Sequence, residues 1–250
     1  MDRRTLGQTG LMLSKIGLGT VKFGRNQGVK YPHGFDIPDM DHLKNLLARA
    51  RDLGINTLDT APSYGLSEER LGVLLAGQRK DWIIVGKAGE DFEQGQSSYI
   101  FTPDHFEFSL HRSLQRLNTD YLDILLIHSD GHDMDILGND ALLQKIQDFK
   151  RRGLVRAIGA STKTVEGGIR ALDLMDCAMV AYNPAYLDEE PVLAHAAKTG
   201  KGVLVKKALG SGHIAAAANP LRFVLDHPGV TSAIVGTINP DHLSQNAQGC

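Results

Sequence analysis

The sequence is short of cysteine and of net charge, and each shortage removes a class of protein. Two cysteines, Cys177 and Cys250, are too few for a disulfide framework or a thiolate zinc cluster, and they fit a reducing compartment. With 27 Lys and Arg against 29 Asp and Glu, the formal net charge is −2, so no broad basic field favours nucleic acid or an anionic membrane. No run of about 18 apolar residues suggests a membrane span. The amino terminus carries Arg3 and Arg4 but lacks the uninterrupted apolar core of a signal peptide. The expectation is a cytoplasmic protein with neither nucleic acid nor membrane as partner.

What is present looks like an ordinary globular enzyme. Of 250 residues, 42% are hydrophobic and 22% charged, which is neither disordered nor fibrous, and a single alpha/beta barrel takes about 250 residues. No Ser/Gly linker or charge block divides the chain, so residues 1–250 are read as one domain. Residues 5–14, with Gly7 and Gly10, predict a small hairpin, and residues 15–19 a first strand ending at Gly19 and Thr20. A polar, glycine-rich loop over 22–39 follows, of a length that is usually functional or mobile. Asp41 is read as the cap of a helix carrying Leu43, Leu46, Leu47, Ala50 and Leu53 at helical spacing.

The strand and helix pattern then repeats. Short apolar runs at 57–58, 82–85, 121–127, 155–159, 178–182, 202–205 and 231–235 alternate with amphipathic stretches, including one over 214–225 and one from Asn239 onward. Eight such units predict an α/β fold, a parallel sheet closed into a TIM (β/α)8 barrel with a short N-terminal β-hairpin. The alternative is a doubly wound open sheet, whose glycine fingerprint Gly17-Leu18-Gly19-Thr20 does not supply.

Residues 56–71 are the stretch the rest serves. Asp59 ends a strand, Tyr64 and Gly65 sit on the following turn, and Ser67 opens a helix with Glu68 and Glu69 in its first turn. Ser67 reads as an N-cap. Lys87 and His128 stand at the ends of the next two strands. In a parallel barrel such strand ends face the site of chemistry. Each residue alone also has a plain structural reading: a turn cap, a packed ring, a solvated strand end, a core histidine.

The contexts LDTAPSYG, IIVGKAG and DILLIHSD, with the opening RTLGQTGLMLSKIGLGT, resemble the aldo-keto reductase family, in a short bacterial-type form. The resemblance covers nearly the whole chain. It implies an NAD(P)H-dependent oxidoreductase acting on aldehyde or ketone carbonyls, or on a sugar or alcohol in reverse, as a monomer or weak homo-oligomer. An unperturbed phenol, with a pKa of about 10, is a poor acid at neutral pH. Lys87 is therefore expected to lower the pKa of Tyr64, the proton donor, while Asp59 holds Lys87 and His128 orients and polarises the carbonyl.

The same resemblance implies a dinucleotide surface of Gly19, Thr20 and Asp59, with Ser161 and Thr162 at the carboxamide position. Thr162 stands where Asn is usual and Met179 where Gln is usual. In VLVKKALGSG, Lys206 replaces a stacking aromatic; Lys206 and Lys207 with the Gly210-Ser211-Gly212 turn offer pyrophosphate contacts, that turn otherwise reading as a simple tight turn, and Leu209 beside it is counted with the cofactor residues. In IVGTINPDHLSQN, Gly236, Thr237, Asn239, His242 and Asn246 take the adenosine-phosphate positions. Gly236 and His242 replace Lys and Arg, which leaves the choice between NADPH and NADH open, since an imidazole grips phosphate less well than a guanidinium. No metal is expected, and SDGHDMD is read as a solvated loop. His105 and His111 are read as surface residues. The pocket is expected to be open and broadly selective. The rival reading is a dinucleotide-sensing or interaction protein of low turnover on the same barrel.

Overall fold

The computed structural model describes residues 1–214 and 219–249. Strands β1 (Arg3–Thr5) and β2 (Met12–Ser14) form an antiparallel hairpin at the start of the chain. There follow β3 (Ile16–Gly19), α1 (Met40–Asp52), β4 (Thr57–Asp59), α2 (Ser67–Leu74) and β5 (Ile83–Ala88). A second antiparallel hairpin, β6 (Glu90–Glu93) and β7 (Gln96–Tyr99), leaves the end of β5. The chain continues through α3 (Pro103–Arg116), β8 (Leu122–His128), α4 (Asp133–Leu137), α5 (Asp140–Arg151), β9 (Val155–Ser161) and α6 (Val165–Leu174). Then come β10 (Cys177–Ala181), α7 (Glu190–Thr199), β11 (Gly202–Lys206), α8 (Pro220–Asp226), β12 (Ser232–Val235) and α9 (Pro240–Gln248).

Strands β3, β4, β5, β8, β9, β10, β11 and β12 pair in that order, all parallel, and β12 returns to β3. This is the closed (β/α)8 barrel with an N-terminal hairpin that the alternation predicts. Strand side chains alternate between two environments. Val85, Ile124, Leu126, Ala157, Met179, Leu204 and Ile234 pack together with Leu6 and Leu13 of the opening hairpin, so the hairpin plugs the barrel floor. Met179 is thereby core. The alternate residues, among them Leu58, Ile84, Leu125, Ile158, Val180 and Val203, pack outward against the helices.

The structure corrects several local expectations. The side chain of Asp39, not Asp41, caps α1 by accepting from His42 N, because Asp41 already lies in the first turn. The residues 90–99 form the β6–β7 hairpin, unread from sequence, around Gln94 and Gly95, both at positive φ. The SDGHDMD segment is no solvated loop. It holds α4, whose buried Asp133 accepts from Lys163 N, Thr164 N and Thr164 Oγ1 and so ties the start of α6. His105 is largely covered and faces Asp91 at 3.4 Å, whereas His111 is exposed. The helix expected over 214–225 runs from Pro220, with 215–218 and Cys250 outside the described residues. No helix among the described residues is long and apolar enough to cross a membrane.

Candidate active site

Parallel pairing brings the ends of β4, β5 and β8 side by side: Asp59 lies opposite Val85, and Lys87 opposite Leu126, two residues before His128. The Lys87 ammonium is 2.5 Å from Asp59 Oδ1 and donates to the Thr60 carbonyl at 2.9 Å. Both side chains are buried, Lys87 at 2% and Asp59 at 5% exposure, so their charges meet with little water between them. Lys87 Nζ lies 4.8 Å from the centroid of the Tyr64 ring. The Tyr64 and His128 rings meet edge to face, 6.3 Å apart at 82°. The carboxylate, ammonium, phenol and imidazole are thus gathered in one place.

The turn bearing Tyr64 is fixed by backbone, not by a helix cap. Leu66, not Ser67, precedes α2, and no side chain caps it. Ser67 is buried and donates to Thr20 Oγ1 at 2.8 Å, and Thr20 Oγ1 donates to the Asp59 carbonyl at 2.9 Å. The Thr20 hydroxyl therefore belongs to the barrel wall. Gly65 has φ +60, and a Cβ there would stand 2.2 Å from the Gly24 carbonyl oxygen. A Gly65→Ala variant must leave both the left-handed conformation and this contact, so a loss of about 2–3 kcal/mol is expected, read as a lowered Tm.

Sequence reading missed Glu90. The first residue of β6 is buried, and its Oε2 lies 2.8 Å from His128 Nδ1, in ion-pair range though out of line for a good hydrogen bond. Ser63 Oγ donates to the same carboxylate at 3.0 Å and Ser97 Oγ at 2.6 Å, with Arg25 at 3.8 Å. Burial alone would raise the Glu90 pKa, but His128, Ser97 and Ser63 outweigh it and bring it to about 2. His128 is shifted below its ordinary value by burial, which exceeds the opposing pull of Glu90, while Lys87 and Lys206 push the same way as burial. At neutral pH the ring is uncharged with its proton on Nδ1 toward Glu90, which leaves Nε2 with a lone pair. A residue on the strand before a Gln-Gly hairpin turn gives no local sign of this pairing. The one local signal is the Gln94-Gly95 dipeptide, which marks a turn and says nothing about His128.

The expectation that Lys87 lowers the Tyr64 pKa does not hold. Burial raises it well above the ordinary phenol value, and the Asp59 and Glu90 carboxylates raise it further, against a smaller opposing pull from Arg25. The physical reason is that Lys87 spends its charge on Asp59 at 2.5 Å, so the pair offers the phenol little net field. Tyr64 is fully protonated at neutral pH.

A cleft of about 570 Å³ opens beside Asp59 and Tyr64 and runs to the far side of the barrel mouth. Of the residues expected on a dinucleotide surface, Gly19, Lys206, Leu209, Ser211, Gly236, Thr237, His242 and Asn246 line this cleft. The rest have other tasks. Ser161 Oγ and the Thr162 carbonyl accept from Lys206 Nζ at 2.9 and 2.7 Å. Gly210 and Gly212 donate their N–H groups within their own turn, and the Asn239 side chain caps α9. Burial, partly offset by Glu189, shifts Lys206 down to about 8.

The 22–39 loop forms a wall of this cleft. Arg70 Nη1 donates to the carbonyls of Phe23 and Pro38, clamping both ends of the loop. Between them Tyr31, Pro32 and His33 line the cleft. Lys22 Nζ sits 3.9 Å from the Tyr31 ring centroid, and Phe35 meets that ring edge-on at 5.7 Å. The Tyr31 hydroxyl lies 2.6 Å from where a Cβ on Gly236 would be, and Pro32 lies against Gly212. The loop arches from the first strand to the last.

A family model described as Aldo/keto reductase family matches residues 15–220. A solved structure from Pseudomonas aeruginosa, described as a candidate aldo-keto reductase, is 53% identical, covers 99% of this chain and 94% of its own, and superposes with a TM-score of 0.91. The L-galactose dehydrogenase of Arabidopsis thaliana is 32% identical over 64% of this chain and 48% of its own length. The D-threo-aldose 1-dehydrogenase of a Pseudomonas species is 28% identical over 82% and 69%. The matches span half or less of the length of the curated relatives at 30% identity or above. Taken with the barrel and its mouth, the match over most of the chain means that this protein belongs to the aldo/keto reductase family.

Proposed function

We propose that the chain is an NAD(P)H-dependent oxidoreductase that reduces small aldehyde or ketone carbonyls, or oxidises the corresponding alcohol or sugar in reverse. The observation that carries the reading is the phenol of Tyr64, kept protonated at the edge of the cleft, with the buried Lys87–Asp59 pair behind it. The names of two relatives, a galactose and an aldose dehydrogenase, support a polyol-like or hydroxycarbonyl substrate.

The cleft suits a dinucleotide. It is long, it lies within the usual range of about 300–1,000 Å³ for small-molecule sites, and its lining includes Lys22, Lys206 and Lys207 against the one acid Asp59. Thr162 Oγ1 is buried without a hydrogen-bond partner just behind the cleft wall, where the Thr162 carbonyl holds Lys206. The residues that would hold the dinucleotide are Gly19, Lys206, Ser211, Thr237, His242 and Asn246, all of which line the cleft. Bound there, the reduced nicotinamide supplies the hydride for the carbonyl carbon.

The chain's own groups handle the proton. Tyr64 gives its hydroxyl proton to the carbonyl oxygen, with the Lys87–Asp59 pair packed behind its ring. His128 Nε2 accepts from a hydroxyl of the substrate, with Glu90 as the positioning residue that fixes the ring's tautomer. The test is titration with NADPH and NADH by fluorescence, followed by turnover of a reactive aldehyde and of an aldose. Binding without turnover favours the rival reading of a low-turnover sensor, for which Lys206 tying up Ser161 is the supporting contact.

A Glu90→Gln variant tests the pairing. The inflection of the pH–rate profile assigned to His128 is expected below about 6.5 and to move lower still in the variant, because the carboxylate that favours the imidazolium is gone. An unmoved inflection would show that Glu90 acts only in folding.

A further inference from the structure

We propose that Lys206 makes this site discriminate between the two redox forms of its nicotinamide, holding the reduced form more tightly and so raising the potential of the bound couple, which lowers the driving force for hydride donation from the bound ring. The inference rests on the functional reading above and adds the direction in which that potential is shifted.

The argument starts from place. Lys206 ends β11, lines the same cleft as Asp59 and Tyr64, and is held by Ser161 Oγ at the end of β9 and by the Thr162 carbonyl just beyond it. Those two contacts fix the ammonium at the reacting end of the cleft. A charge at Lys206 is felt by His128, which is itself against Tyr64. Hydride transfer requires donor and acceptor carbons about 3–3.5 Å apart, so a nicotinamide reacting with a carbonyl bonded to Tyr64 must occupy this same end.

The charge follows from the chemistry. Reduced nicotinamide is an uncharged ring. Giving up hydride, two electrons with one proton, leaves a ring cation, while the carbonyl carbon receives the hydride and its oxygen the Tyr64 proton. An ammonium beside the ring repels the cation and is indifferent to the neutral form, and in a partly buried site that repulsion is weakly screened. Other side chains whose charges act on Lys206 are Glu189 before α7, Asp133 of α4, and the neighbouring Lys207 and Lys163. Glu189 and Asp133 favour the ammonium, and the lysines oppose it. An aromatic ring in this position would carry no such bias.

The experiment measures dissociation constants of NADPH and NADP⁺, and of NADH and NAD⁺, for the wild type, Lys206→Met and Lys206→Arg. The wild type is expected to bind each reduced form at least about tenfold tighter than its oxidised partner, and the Met variant to lose about tenfold of that ratio, whereas the Arg variant keeps it. A tenfold change equals about 30 mV in the potential of the bound couple. A second readout needs no variant: between pH 7 and 9 the wild-type ratio falls as Lys206 loses its proton. Equal binding of both forms by the wild type, a Met variant with an unchanged ratio, or a ratio flat across that pH range would overturn the inference while leaving the oxidoreductase reading in place. Binding of neither form by the folded wild type would instead remove the functional reading, and this one with it.

Discussion

Replacing Tyr64 by Phe is expected to lower carbonyl reductase activity by about 10³-fold while leaving nucleotide affinity within a few-fold of wild type. The magnitude follows from losing general acid catalysis at the reacting oxygen, which contributes about 10²–10⁴. The split between turnover and binding follows from the geometry. Tyr64 is half-buried on a turn held by Gly65 against Gly24, so removing one oxygen leaves the ring, its contact with His128 and the cleft wall in place. The variant keeps the fold and loses the proton. Steady-state kinetics with a reactive aldehyde and nucleotide titration of the same preparation check it, and full activity in the variant would remove Tyr64 from the acid role.

The second large effect is on stability. Asp59→Ala leaves the Lys87 ammonium buried with only the Thr60 carbonyl beside it, and breaking a buried pair in this way costs about 3–5 kcal/mol. For a domain of this size that is a fall in Tm of roughly 10 °C. Replacing both partners, Asp59→Leu with Lys87→Met, is expected to recover much of the stability and none of the activity, because apolar groups of similar size no longer strand a charge. Calorimetry and turnover on the same two variants separate the tasks of the pair. A double variant that is both unstable and active would contradict the assignment.

The barrel was legible because its strands are short apolar runs closed by Gly or a polar residue, and its helices carry leucines at helical spacing. Parallel pairing then does the rest: once β4, β5 and β8 are adjacent, Asp59, Lys87 and His128 must converge. Local charge logic was less readable. Ser67 looks like a cap in sequence, yet its hydroxyl is drawn inward to Thr20, an interaction that exists only after strand and helix have packed. The sign of the Tyr64 shift failed for a similar reason. A lysine near a phenol in sequence space says nothing about how completely a carboxylate has already claimed it. Glu90 and Tyr31 were invisible because their partners, His128 and Gly236, lie on other strands and are reached through irregular segments.

The meeting of Tyr31 with Gly236 bears on how the two ends of this molecule have been shaped together. The phenol oxygen stands 2.6 Å from where a Cβ at 236 would be, so any side chain there would have to push the Tyr31 ring aside. The absence of a side chain at 236 thus lets the arch close down over the groove, and a larger residue there would lift that roof.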